Sequence, residues 1–184
     1  MKKGFNVYLG ISISLILFTL QGCEIQKNKE DLGMAQPELS IQPVKLKPLP
    51  LGAIKPTGWL KNQLRIQADG LSGHLDEFWP DIHDSAWFGG QSDAWERAPY
   101  WLDGVVPLAV LLEDEGLLTR VAKYIDTIIR NQDESGWISP AESSADYDLW
   151  AIFLVLKPLI QFYEATGDDR VPGVVEKTLR WVDG

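Results

Sequence analysis

The chain has 184 residues and a formal net charge of −9, and 45% of its residues are hydrophobic. This hydrophobic content is sufficient for one packed core of ordinary domain size. An acidic chain without a basic cluster repels phosphate backbones, so nucleic acid is excluded as an expected partner. The chain carries a single Cys, so no intramolecular disulfide can form.

The first residues have the pattern of a secretory signal rather than of a folded element. Two lysines precede an apolar run from Val7 to Leu20. The run suits a signal sequence and is shorter than the about 20 residues that a bilayer-spanning helix needs. It ends in Leu20-Gln21-Gly22-Cys23, which resembles the lipobox of bacterial lipoproteins, whose Cys thiol carries lipid. We therefore expect a signal peptide at residues 1–22, lipidation of Cys23, and a lipid-anchored membrane protein on the periplasmic or cell-surface face of the envelope.

The next segment, residues 23–47, is polar and ends in a proline-rich stretch. It has no apolar period and its prolines prevent helix formation, so it is predicted to be a tether between the lipid and the domain. The folded domain is expected over residues 48–184.

Helical signals begin at Thr57, the expected N-cap of a first helix that ends at Gly70. The stretch from Leu71 to Gly90 lacks a helical period and is rich in aromatic, glycine and acidic residues. It is predicted to be a long loop, and long ordered loops are usually functional. Further helices are predicted at 99–113, 117–131, 147–166 and from 172 to about 181. The evidence for them is an apolar face at helical spacing.

Four of these helices form a repeat with an offset of 50 residues. The positions Arg120, Val121, Ile125, Asp126, Ile129 and Arg130 recur as Arg170, Val171, Val175, Glu176, Leu179 and Arg180. A repeated helix–loop–helix unit of this length is typical of an α-solenoid or a closed α-toroid. Two units and one leading helix leave apolar faces uncovered. We therefore expect an all-α fold, the N-terminal part of a toroid of helical hairpins that is incomplete in this chain.

Aromatic and acidic residues recur near the starts of the predicted helices. Trp faces stack on sugar rings, and carboxylates bind hydroxyls or act as acid and base. Equivalent helix starts of a toroid lie side by side, so we expect one end of a shared cavity to be lined by Trp101, Asp103, Tyr147, Asp148 and Trp150. The two acids of this set could form a glycosidase pair.

Three further Trp residues, Trp79, Trp87 and Trp137, lie in predicted loops. For each of them the sequence leaves two alternatives, stacking on a sugar ring or packing in the core. Trp137 is taken as a candidate binding residue. Asp93 and Glu96 have capping-box spacing and are expected to bind backbone N–H groups at a helix start. The two His residues lack any recognised ligand spacing, so no metal site is expected in this chain.

Several segments match one enzyme family in order along the chain. They are residues 50–60 (PLGAIKPTGWL), 70–74 (GLSGH), 100–104 (YWLDG), Asn131-Gln132 with Gly136-Trp137, and 163–167 (YEATG). They resemble the β-L-arabinofuranosidases of glycoside hydrolase family 127, and the resemblance covers roughly residues 48–184. It implies an (α/α)6 catalytic barrel followed by β-sandwich domains.

The resemblance also implies retaining hydrolysis by a zinc-bound Cys thiolate, with Glu residues as zinc ligand and general acid/base. None of those groups falls within this stretch of the family, so no catalytic residue is expected here, and zinc is implied only for the full-length protein. Trp101 and Asp103 match a Trp-Leu-Glu helix of the family, with Asp replacing Glu. Tyr147-Asp148 stands where many members carry His-Glu.

The leading hypothesis is therefore the N-terminal part of an envelope glycoside hydrolase, inactive as this fragment, with a carbohydrate substrate. A carbohydrate-binding lipoprotein without catalysis is the first alternative. A helical-repeat scaffold for protein partners is the second, and it calls for an exposed apolar groove rather than Trp and Asp at the cavity mouth.

Overall fold

A computed structural model describes residues 44–140 and 149–184. The chain divides into two units, Met1–Lys45 and Leu46–Gly184. Of the first unit only Val44 and Lys45 are described, and both are exposed. Cys23, Tyr147 and Asp148 lie outside the described residues. The fold that follows is that of the second unit.

The secondary structure of the described residues consists of helices without any strand, which confirms the expected all-α class. Its elements are α1 (Gly58–Asp69), α2 (Leu71–Phe78), α3 (Pro80–His83), a 3-10 turn (Ala86–Phe88), α4 (Arg97–Leu112), α5 (Glu115–Asn131), α6 (Trp150–Thr166) and α7 (Arg170–Asp183). Within residues 44–140 and 149–184, no helix has the length and apolar character that a membrane crossing requires.

The predicted ends of α1 are confirmed, because Thr57 is its N-cap residue and Gly70 its C-cap residue. The Thr57 side chain, however, makes no capping hydrogen bond. Helix α5 begins before the predicted Leu117 because Asp114 caps it, its Oδ1 accepting a hydrogen bond from the backbone N–H of Leu117 at 3.0 Å.

The predicted loop from Leu71 to Gly90 is wrong, because α2, α3 and the 3-10 turn occupy most of it. Leu71, Leu75 and Phe78 stand at helical spacing in α2, but the helix has only eight residues, and its buried residues are Gly73 and Asp76. Gly73 permits a close approach to α1, since a Cβ there would lie 1.8 Å from the carbonyl oxygen of Ala68. Pro80 then begins α3 as its first residue.

The helices form three hairpins, α1–α2, α4–α5 and α6–α7. Helix α4 contacts α1, α2, α3, α5 and α6, and its contact with α6 is the most extensive in the described chain. Helices α5 and α7, the second helices of their hairpins, also touch each other. The expectation of a single leading helix is corrected, since α2 and α3 follow α1 before α4 begins and α2 contacts α1.

The repeat is visible in the contacts between successive hairpins. Asp76 of α2, Asp126 of α5 and Glu176 of α7 are spaced by 50 residues. Nη1 of Arg120 lies 3.4 Å from Oδ1 of Asp76, and Nη1 of Arg170 lies 2.6 Å from Oδ1 of Asp126. Each arginine thus binds an acid on the second helix of the preceding hairpin.

A second repeated feature follows the helices α2 and α5. The segments Ser85-Ala86-Trp87 and Ser135-Gly136-Trp137 are also 50 residues apart. In both, the backbone N–H of the Trp donates a hydrogen bond to the Ser hydroxyl at 3.3 Å. The two segments thus share a hydrogen bond but not a backbone conformation, since Ala86 lies in a 3-10 turn and Gly136 has a φ of 102°.

Candidate functional site

Trp101 faces the interior of the unit and not the expected cavity. Its side chain is buried, with 7% of its surface exposed, and its indole Nε1 donates to the carbonyl oxygen of Ser72 at 2.9 Å. Its ring meets Tyr124 edge-on at 5.3 Å between centroids, with Phe88 at 6.4 Å. These contacts tie α4 to α2 and α5.

Asp103 lies on the side of α4 that faces α6. Its Oδ2 accepts from Nζ of Lys157 at 2.6 Å, and its Oδ1 accepts from Nε2 of Gln161 at 2.9 Å. Two residues along an α-helix are separated by about 200°, so Trp101 and Asp103 point to opposite sides of α4. The expectation that they line one cavity is corrected by this geometry.

Trp150 stands at the start of α6 and is half exposed, at 53%. Its Nε1 donates to Oε2 of Glu96 at 2.8 Å. Its ring lies 6.5 Å from that of Tyr100, with the ring planes tilted by 55°, and Tyr100 is 47% exposed. Glu96 was expected to cap a helix with its carboxylate, and the structure shows it orienting this indole instead.

These residues form one surface, which we name the α4–α6 site: Tyr100, Asp103, Trp150, Phe153, Leu154 and Lys157. A shallow cavity of about 190 Å³ is lined by all of them except Asp103, which joins the surface through its ion pair with Lys157. The volume is below the range of drug-sized ligand pockets, so the cavity suits a single ring laid on the aromatic faces. Of the predicted residues, Trp150 lines this cavity, and Asp103 is connected to it through Lys157.

Tyr100 also lines a neighbouring groove of about 360 Å³, to which Trp101 belongs. This groove runs between α4 and α2, with Ser72 and Gly104 among its other lining residues. Tyr100 therefore lines both cavities, whereas Trp101 lines only the groove and not the cavity of the α4–α6 site.

Trp137 lies elsewhere, against α7. Its ring is 4.5 Å from that of Trp181 between centroids, with the planes tilted by 54°. Its backbone N–H donates to Oδ1 of Asp133, and the Ser135 hydroxyl lowers the pKa of that carboxyl, together with such backbone donors. The described contacts of Trp137 connect a loop to a helix and include none with the α4–α6 site.

Of the other two Trp residues predicted in loops, Trp87 lies in the core and Trp79 at the surface. Trp87 is 1% exposed and its Nε1 donates to the carbonyl oxygen of Trp95 at 2.7 Å, so the packing alternative is correct for it. Trp79 is partly exposed, with the Arg97 guanidinium 5.8 Å from its ring centroid. Asp93 caps as expected, because its Oδ2 accepts from the backbone N–H groups of Trp95 and Arg97.

Sequence reasoning did not select Tyr100, Phe153 or Lys157 as site residues. Trp150, Phe153 and Lys157 follow each other at spacings of three and four, which places them on one helix face. The sequence alone contains this spacing. It does not show that this helix face pairs with Tyr100 and Asp103, because that pairing arises from packing between α4 and α6.

The two His side chains are held by local partners. Nδ1 of His74 lies 2.7 Å from Oε1 of Glu77, and Nδ1 of His83 lies 3.0 Å from the carbonyl oxygen of Asp76. The pKa of Glu77 is lowered, chiefly by its hydrogen bond with His74 and further by Arg120. In the part of the chain that the structure describes, no three His, Cys, Asp or Glu side chains are grouped as metal ligands.

Comparison of the chain with protein-family models, curated proteins and solved structures found no match. The resemblance to glycoside hydrolase family 127 therefore stays a prediction that depends on the motifs.

Proposed function

We propose that this chain is the sugar-binding N-terminal part of an envelope glycoside hydrolase that acts on β-L-arabinofuranosyl or related linkages. The observation that carries the proposal is the pair of half-exposed rings, Tyr100 and Trp150, beside the ion pair of Asp103 and Lys157. The glycan binds at the α4–α6 site.

The chemistry of a sugar ring fits this surface. The C–H face of a pyranose or furanose ring packs on an aromatic ring, while its hydroxyls need donors and acceptors at the rim. Here the rings of Trp150, Phe153 and Tyr100 supply the apolar contact. Lys157 and Asp103 supply a donor and an acceptor on one side. Glu96 restrains the indole of Trp150, which lowers the entropy lost when a ring stacks on it.

Hydrolysis is not assigned to these residues. Both carboxylate oxygens of Asp103 are engaged, by Lys157 and by Gln161, so this acid is poorly placed to exchange a proton with substrate. The zinc and Cys thiolate implied by the resemblance have no matching ligand group among the described residues, so no step is derived through them. We therefore place bond cleavage outside the described chain.

The finer fold that we propose is an (α/α)6 toroid, of which α1–α2, α4–α5 and α6–α7 are successive hairpins. The recurring ion pairs and Ser-x-Trp hydrogen bonds support a repeat architecture of this kind. The membrane attachment that we propose is the lipid on Cys23, which places the carbohydrate substrate in or outside the envelope.

A second candidate is a lipoprotein that binds carbohydrate without cleaving it. The full engagement of Asp103 favours it, since binding needs no group free to transfer a proton. The two candidates share the α4–α6 site and differ only in what the full-length protein does to the bound glycan.

Titration of the mature chain with arabinofuranosyl oligosaccharides and other plant-type oligosaccharides, followed by Trp fluorescence and calorimetry, tests the site. Trp150→Ala is expected to weaken binding about tenfold, because an aromatic contact is worth roughly 0.5–1.5 kcal/mol beyond area burial. Trp59→Ala, at a more exposed Trp on α1, is the control and leaves affinity unchanged. Absence of binding across the panel, or full affinity in Trp150→Ala, contradicts the proposal.

A further inference from the structure

A group of exposed apolar side chains lies at the beginning of the folded unit. Residues 46–61, which we name the N-terminal face, comprise a non-helical segment and the first turn of α1. The large apolar side chains of this face that are exposed to solvent are Leu46, Leu49, Ile54, Trp59 and Leu60. Apolar side chains that are exposed in such a group mark an interaction surface.

The non-helical segment of this face is fixed to the helices behind it. The backbone N–H of Leu51 donates to Oε2 of Glu164 on α6 at 3.2 Å. Nζ of Lys55 donates to the carbonyl oxygen of Val110 at 3.4 Å and to Oε1 of Glu113 at 2.9 Å, both at the end of α4. The exposed apolar side chains are therefore presented on a restrained backbone, so a partner that covers them orders little additional chain.

The charge of this part of the chain is opposite to that of the remainder. Residues 46–68 contain no acidic residue and four basic ones, Lys47, Lys55, Lys61 and Arg65. Residues 69–184 contain 22 acidic against 8 basic residues, a formal charge of −14. Lys55 and Arg65 form ion pairs with Glu113 and Asp114, and Lys47 and Lys61 are exposed. An anionic surface attracts the basic end of such a molecule and repels its acidic body, which orients the N-terminal face toward that surface.

We propose that the N-terminal face docks on an anionic lipid bilayer. Its apolar side chains enter the interface, and its lysines lie at the phosphate headgroups. An exposed Trp beside exposed lysines suits this position, because an indole has an apolar body and a polar N–H. A protein groove that binds a helix selects apolar residues three and four apart, whereas the exposed residues of this face lie mostly before α1. A fluid bilayer requires no such spacing.

The chain that precedes the N-terminal face supplies a second argument. The lipid proposed on Cys23 stands 23 residues before Leu46, so the anchored segment joins the folded unit at this face. Attachment through a short connection raises the effective concentration of bilayer around the face. The attraction itself is a property of residues 46–61, so the proposal requires neither the lipid nor sugar binding at the α4–α6 site.

The test uses the mature chain with Cys23→Ser, which carries no lipid. Flotation with vesicles of phosphatidylethanolamine and phosphatidylglycerol is expected to carry the chain, whereas vesicles of phosphatidylcholine carry much less. Added salt should weaken the binding because it screens the lysines. Lys47→Gln and Lys61→Gln should each lower the partition coefficient on anionic vesicles about fivefold. Lys177→Gln, at an exposed residue of α7, is the matched control and should leave it nearly unchanged.

The apolar contact is tested at Trp59. Trp59→Ala should lower the partition coefficient about tenfold, because the indole no longer leaves water. Trp150→Ala, at the half-exposed Trp of the sugar site, is the matched control and should not change vesicle binding. Brominated lipid quenches nearby Trp fluorescence, and this quenching should fall in Trp59→Phe but not in Trp150→Phe. Circular dichroism of each variant verifies that its helices are retained.

The two Trp residues also separate this proposal from the proposed function, since Trp59→Ala leaves sugar titration unchanged and Trp150→Ala leaves flotation unchanged. Three results overturn the docking proposal. One is a chain that does not float with anionic vesicles at low salt. Another is flotation that is equal in Trp59→Ala and the parent chain. The third is a dimer, seen by analytical ultracentrifugation and dissociated by Trp59→Ala, because it assigns the face to a second copy of the chain.

Discussion

The indole nitrogen of Trp150 and the carboxylate of Glu96 form a hydrogen bond of 2.8 Å across 54 residues of sequence. This bond joins the beginning of α6 to the residue that precedes α4. It restrains the orientation of a half-exposed ring. An exposed aromatic that is held in one orientation is suited to stacking on a ligand.

Removal of that bond is expected to weaken sugar binding. Glu96→Ala removes this restraint on the indole of Trp150, and a hydrogen bond worth about 0.5–1.5 kcal/mol corresponds to an affinity loss of roughly two- to tenfold. Glu96→Gln keeps an acceptor and should lose less. Oligosaccharide titration measures the difference, with Glu134→Ala, at an exposed acid of the loop after α5, as control. Equal affinities of all three variants contradict the orienting role.

Trp87→Ala is expected to destabilise the unit by about 3–5 kcal/mol, because it removes a buried ring and the donor to the Trp95 carbonyl. Trp59→Ala, at an exposed position, should change the free energy of unfolding by less than about 0.5 kcal/mol. Urea unfolding followed by circular dichroism measures both. A Trp87→Ala chain as stable as the Trp59→Ala control would show that the buried turn is dispensable.

The ion pair of Asp126 and Arg170 makes stability depend on acid pH. The pKa of Asp126 lies below its ordinary value of 3.8, first because of the hydrogen bond from Arg170. The unfolded chain therefore takes up this proton at a higher pH than the folded chain does. The contribution is complete above the unfolded pKa and is lost as the pH falls through the folded one.

Asp126→Asn should thus lower the Tm at neutral pH, and its difference from the unmodified chain should shrink as the pH falls below 3.8. The effect is small because the pair is partly exposed. Thermal melts at a series of pH values check it, and Glu134→Gln should follow the unmodified chain throughout. A difference that grows on acidification contradicts the assignment.

The 184-residue product is expected to show no turnover of p-nitrophenyl β-L-arabinofuranoside, with or without added zinc. The reason is that both carboxylate oxygens of Asp103 are engaged, by Lys157 and by Gln161. Release of p-nitrophenol against a blank measures it. Turnover that survives Cys23→Ser but disappears in Asp103→Asn would show that this acid is catalytic after all.

Cys23 is expected to carry lipid, because it follows directly on the apolar signal run. Labelled palmitate should enter the envelope-associated protein and be absent from a Cys23→Ser variant. Intact-mass analysis should place the first residue of the mature chain at this Cys. A soluble product cleaved at another position would refute lipidation.

The sequence predicts this fold where apolar residues define a helix face. Helix α5 was recognised from its stripe, and α1 from Thr57 and Gly70 at its ends. The prediction of a loop from Leu71 to Gly90 is wrong because the apolar spacing of α2 extends over only eight residues, fewer than a helical period needs to stand out. The buried residues of α2, Gly73 and Asp76, serve close approach and ion pairing rather than apolar contact.

The candidate site was predicted in part for a different reason. Trp150 and Asp103 were selected for their chemistry, and α4–α6 packing places them on one surface. Trp101 was grouped with Asp103 although helix geometry alone turns two residues at this spacing apart. Partners such as Lys157 are fixed by the tertiary contact, which no local pattern contains.

The arrangement of hairpins also determines how the chain folds and opens. Every extensive helix contact in the described residues joins helices of the same hairpin or of adjacent ones. Contacts within a hairpin close short loops, and those between α4 and α6 close loops of 54 residues, so the entropy lost in each step stays moderate. Local opening is expected to begin where the least apolar surface is buried. Helix α1 has Ala68 as its buried residue and is therefore expected to detach before the extensively packed α4–α6 pair.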